Sequence, residues 1–113
     1  MDPHTDKAKR YLKKLGSALF KVLILSESYG TRRASLEVSK AGVVIAFQEP
    51  LNGVRVLYDE SFETAPISIM IHPRSDKLVM IKFSAGRQLA FATQSPYESN
   101  LLVWCLEYFQ YEA

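Results

Sequence analysis

Few residues in this chain have side chains suited to catalysis, and their spacing limits what they can do. There are two histidines, His4 and His72, and one cysteine, Cys105. His4 stands ahead of any patterned segment, within residues 1–4, which are expected to fray. His72 closes an apolar run just before Pro73, where it reads as a rim residue that helps the turn. Asp59, Glu60 and Glu63 cluster, but no His or Cys at ligand spacing accompanies them. Cys105 lies in the apolar centre of the last segment, so it reads as a buried, inert thiol, and a lone cysteine excludes an internal disulfide. The glycines are isolated turn glycines, not a phosphate-cradling loop. With no convergent acid, base or nucleophile, the expectation is a non-catalytic chain with no cofactor and no metal site.

The charges are more suggestive. Fourteen Lys and Arg against twelve Asp and Glu leave a formal charge of +2, too little to imply a nucleic-acid partner. Lys7, Lys9, Arg10, Lys13, Lys14 and Lys21 crowd the first 21 residues. They form either a solvated helix face or a patch that meets anionic lipid or an acidic partner. Arg32-Arg33-Ala34-Ser35-Leu36 resembles the substrate pattern of basophilic kinases. A phosphate on Ser35 would add about −1.5 to −2 charges beside the two arginines. So short a pattern also arises by chance, in which case Ser35 is a solvent-facing strand residue.

These groups must be carried by one domain of 113 residues, spanning 1–113, whose 48% hydrophobic and 23% charged content suits a globular core. No apolar run is long enough for a membrane span and none has the form of a signal peptide, so a reducing, cytoplasmic-type compartment is expected. Thr5 can cap a short helix over 5–15, with Ala8, Leu12 and Leu15 on its inner stripe and Gly16 ending it. Short apolar or alternating runs follow at 18–25, where a helix running on through Leu19 is the alternative, and at 34–39, 43–48, 54–58, 66–72, 77–83 and 87–93, with 26–33 read as a polar connection. No long crossover separates them, so they should pair antiparallel. The last segment, 96–112, reads as a helix. Ser95 and Glu98 form a capping box and Pro96 takes the first helical position. Leu101, Trp104, Cys105, Tyr108 and Tyr111 fall on one stripe, with Leu102, Leu106 and Phe109 beside it. That arc is too wide for a helix lying on a surface, so it should plug the strands.

The expected fold is therefore α+β, an antiparallel, seven-stranded, partly open barrel capped by a C-terminal helix, with a short N-terminal helix. This is the architecture of the pleckstrin-homology superfold. Leu36-Glu37-Val38-Ser39-Lys40-Ala41-Gly42-Val43-Val44 resembles the phosphotyrosine-binding (PTB) domain pattern of a strand ending in Val-Ser, a tight turn, then Gly and an apolar pair. Val56-Leu57-Tyr58-Asp59, Ile67-Ser68 and the run from His72 to Ile81 are similar to the PTB course from its Leu-Tyr-Asp strand to its peptide-binding strand. The likeness covers residues 34–112. The connection at 26–33 is too short for the helix that PTB domains usually place there, so a plain pleckstrin-homology domain or the third lobe of a FERM module resembles the chain nearly as well.

The resemblance implies a protein-interaction module that adds a linear peptide as a strand beside the C-terminal helix. Carried onto this sequence, the receiving edge is Lys77–Phe83, with Leu78, Val79, Met80, Ile81, Lys82 and Phe83 as binding residues. Leu102 and Phe109 then supply the helix wall. So apolar an edge invites another chain, unless the N-terminal helix covers it and the helix wall, since Leu12 and Leu15 also need somewhere to pack. Arg74 and Arg87 are the candidates for a phosphotyrosine pocket but match no motif, so phosphate-independent recognition is expected. The alternative is a peripheral membrane module in which Lys21, Arg32, Arg33 and Lys40 bind phosphoinositide through the basic loop after the first strand. The two arginines are adjacent, whereas the lipid-binding signature spaces them by one. A second copy of the chain is the remaining candidate partner. Partner identity is not written in the sequence.

Overall fold

The computed structural model describes residues 14, 16–26, 30–49, 53–84 and 86–112. The expected N-terminal helix over 5–15 lies outside them except for Lys14, which is helical. Among the described residues, seven strands form one antiparallel sheet and a helix follows: β1 (Ser17–Ser26), β2 (Gly30–Ser39), β3 (Gly42–Glu49), β4 (Gly53–Glu60), β5 (Ile67–Ile71), β6 (Leu78–Phe83), β7 (Gln88–Ala92) and α1 (Pro96–Glu112). The strands lie in the order β4-β3-β2-β1-β7-β6-β5.

Two-residue alternation builds the strands. Phe20, Val22 and Ile24 of β1 are buried, while Leu19, Lys21 and Leu23 face outward. The β1–β2 ladder runs unbroken from Ser17 opposite Ser39 to Ser26 opposite Gly30. The described residues of the polar connection expected at 26–33, Ser26 and Gly30 to Arg33, are therefore strand. Arg32 pairs with Ile24 and Arg33 with Leu23, because the ladder continues past the point where apolar alternation stops. The side chain of Arg32 is accommodated there by lying over the Phe47 ring, its guanidinium carbon 4.1 Å from the centroid.

The sheet is rolled rather than flat. Tyr58 on edge strand β4 and Phe83 on β6, near the opposite edge, bring their rings to 4.3 Å. A register shift between Ile45 and Ala46 leaves Leu57 as an extra residue on β4, a bulge that bends the strand. At the β2–β3 turn Gly42 has φ +146, and a Cβ there would collide with the Glu60 carbonyl oxygen.

Helix α1 closes the roll as expected, with its buried face turned somewhat from the expected stripe. Leu102, Cys105, Leu106 and Phe109 are buried together with Trp104, whereas Tyr111 is 87% exposed. The Ser95 hydroxyl accepts from the Glu98 amide at 3.1 Å, but the Glu98 carboxylate reaches the Gln94 amide at 3.0 Å instead of that of Ser95. The strand-to-helix joint is fixed by Thr93 and Ser99, both buried, whose hydroxyls lie 2.6 Å apart.

A candidate peptide-docking edge

The hairpins β5–β6 and β6–β7 place β6 in the middle of a three-strand meander. The open edge expected at Lys77–Phe83 is therefore not there. Leu78 to Phe83 is flanked on both sides, by β5 and β7. Val79, Ile81 and Phe83 are core residues, while Leu78, Met80 and Lys82 lie on the sheet's outer face. Leu102 and Phe109 do not line a groove either. Both are buried, because the helix turns them into the roll.

The edge that remains is β5. Among the described residues, β6 is the one strand paired with it. Which of its backbone groups face outward follows from antiparallel alternation. The His72 amide bonds inward to the Leu78 carbonyl at 2.9 Å. Ile67, five residues earlier and of opposite parity, bonds outward. Its N–H donates to Gln110 Oε1 at 2.8 Å and its carbonyl accepts from Gln110 Nε2 at 3.2 Å. Ile69 and Ile71 share the parity of Ile67, so their N–H and C=O groups also point away from β6. Their side chains are half-buried, and Met70 on the other face is 52% exposed.

Helix α1 forms the neighbouring wall and packs mainly against β5. It starts beside the β7 end and reaches Ile67 through Gln110, so it runs antiparallel to β5. By helical periodicity Val103 and Glu107 lie on the same side as Gln110. Val103 is partly buried against the core and Glu107 is exposed. The result is a strip of backbone at Ile69 and Ile71 bordered by the half-apolar side of a helix. Gln110 takes the first rung as a strand would.

Sequence reading missed this edge although a signal was present. Residues 66–72 form the first strand of a meander, and the first strand of a meander is its edge while the middle strand is enclosed. Gln110 gave a weaker signal, as a polar side chain beside an apolar helical stripe.

The other singled-out groups are dispersed. Lys21 and Arg33 lie on the outer face, Arg32 lies over Phe47, and Lys40 sits in the β2–β3 turn. Arg32 and Lys40 are separated by the length of β2, about 26 Å at the usual strand rise, so the four cations do not form one headgroup site. Ser35 sits mid-strand, paired with Lys21 on one side and Ala46 on the other. A kinase that needs its substrate extended and free has no access to it in the folded chain. Arg74 and Arg87 occupy the turns at opposite ends of β6 and do not converge. His72 Nδ1 accepts from the Arg74 amide at 3.0 Å, the turn-supporting part expected of it. Burial pushes the Cys105 thiol up to about 12. Burial, and then the Glu60 carboxylate, raise the Tyr58 hydroxyl.

No protein-family model matches the sequence, and no curated protein matches it. Among solved structures, the chain is similar to the carboxyl-terminal PH domain of pleckstrin. The TM-score is 0.60 at 7% identity, over 82% of this chain and 94% of that domain. The likeness establishes a pleckstrin-homology-like fold.

Proposed function

We propose that the chain is a non-catalytic interaction module that receives an extended segment of a partner protein as an added strand on β5. The observation that supports this most is the outward-facing backbone of Ile69 and Ile71 beside α1. Strand addition draws affinity from main-chain hydrogen bonds and selectivity from alternate side chains. On one face the incoming residues would meet Ile69, Ile71 and the Val103 side of the helix; on the other, Met70. With Arg74 and Arg87 apart, recognition does not depend on a phosphate. Such an adaptor works in a reducing, cytoplasmic-type compartment, where Cys105 stays a thiol.

A display library of random ten-residue peptides tests this. The chain should enrich extended, β-branched sequences. Ile69→Pro removes an outward N–H and no rung of the β6 ladder. It should lose capture while its circular dichroism stays native. Capture by that variant at the original level contradicts strand addition, and doubled mass in light scattering at low concentration assigns the edge to a second copy of the chain.

A further inference from the structure

We propose a second binding site, separate from β5, for a small anionic amphiphile in the hollow on the outer face of β1, β2 and β3. The hollow measures about 810 Å³, and its lining includes Lys21, Leu23, Arg33, Ser35, Ala46 and Val54. That volume is in the range of small-molecule sites, roughly 300–1,000 Å³. The register assembles it. Lys21 lies opposite Ser35, Ser35 opposite Ala46, and Leu23 opposite Arg33. Lys21 and Arg33 are thus diagonal neighbours, about 7–8 Å apart at the backbone, and their long side chains can reach one anion between them.

The charge that the described residues bring to this lining has one sign. Among the described residues, Lys21 and Arg33 are its ionisable ones, and neither forms an ion pair with another described residue. Glu37, opposite Leu19 on the next rungs, lines a different and smaller hollow. The rest of the surface is unusually apolar for an outward face. Val54 is 64% exposed and Leu23 38%, and Val56 and Leu19, at 55% and 58%, extend it. Arg33 offers a planar fork and Lys21 a point charge, a pair suited to a phosphate or carboxylate head. A bilayer presents a flat surface, which a hollow does not fit, and two adjacent cations match one anionic group, not the several spread along an acidic helix. The ligand chemistry is therefore a single anionic head on an apolar body.

Titrating the full chain with dodecyl phosphate below its micelle concentration, followed by methyl NMR, tests the site. Laurate, dodecanol and inorganic phosphate are titrated in parallel. The methyl signals of Leu23, Ala46 and Val54 should shift with dodecyl phosphate. A matching response to laurate shows that any anionic head suffices, and its absence shows a phosphate preference. Dodecanol and inorganic phosphate should each bind on the order of tenfold or more weakly than dodecyl phosphate. Lys21→Gln with Arg33→Gln should weaken binding by at least that factor, and Val54→Asp should abolish it with the fold intact. No saturable shift, equal binding by the double variant, or shifts confined to β5 would overturn the assignment.

Discussion

Gln110, near the end of the last helix, makes to Ile67 the two hydrogen bonds that a neighbouring strand would make. It accepts from the amide at 2.8 Å and donates to the carbonyl at 3.2 Å. One side chain ties the plug to the start of the edge strand, and the next outward rungs, at Ile69 and Ile71, have no strand partner among the described residues. Gln110→Ala should destabilise the fold by about 1–2 kcal/mol, since it removes two hydrogen bonds in a partly buried place. Gln110→Glu should cost at least as much at neutral pH, because a carboxylate cannot donate to the Ile67 carbonyl. Thermal melts measure both, and faster exchange of the Ile67 amide locates the loss.

The strand-to-helix joint makes a separate prediction. Ser99 is fully buried, and its hydroxyl meets that of Thr93. Thr93→Val leaves Ser99 without that partner and should cost about 1–3 kcal/mol. Adding Ser99→Ala should cost less than the sum of the two single changes, which a double-mutant cycle in urea would show.

Gly42 is the glycine with the least room. Its φ of +146 and the nearby Glu60 carbonyl oxygen leave no space for a side chain. Gly42→Ala should therefore lose roughly 1–3 kcal/mol from backbone strain alone, with the collision added to that. Gly30→Ala, where open space surrounds the missing Cβ, should lose less. Equal losses in denaturant titrations would contradict this account of the β2–β3 turn.

Cys105 gives the fold a pH dependence with a definite sign. Burial lifts its thiol from the ordinary 9.0 to about 12. As pH rises the unfolded chain gives up this proton first. The contribution to stability is complete below about pH 9 and is lost as pH climbs toward 12. Cys105→Ala should flatten that alkaline limb, and a thiol reagent at pH 8 should modify the native chain only as fast as it opens.

Much of the architecture could be read in the sequence because it rests on local rules. The seven strands follow from short apolar or alternating runs between turn residues, and the closing helix from Ser95, Pro96 and its wide apolar arc. The docking edge could not be located the same way. Val79 and Ile81 look like a sticky edge in the sequence, yet they are apolar because they point into the core, and a strand flanks them on each side. Ile69 and Ile71 have the same composition, and only their place as first in the meander leaves them open. Arg32 and Arg33 read as loop charges since alternation by residue type fails there, while the β1 ladder and the Phe47 ring still hold them in a strand. Gln110 stood out only as a polar side chain beside the apolar stripe, and its partner could not be read because it is 43 residues away.

Hydrogen exchange at the β5 amides, with and without a peptide selected by the chain, tests the central claim most directly. In the free chain Ile67 should exchange slowly and Ile69 and Ile71 quickly; on binding, Ile69 and Ile71 should become protected while the β6 amides hardly change. If Ile69 and Ile71 are already protected in the free chain, or stay unprotected when the peptide is bound, the partner does not add as a strand to β5.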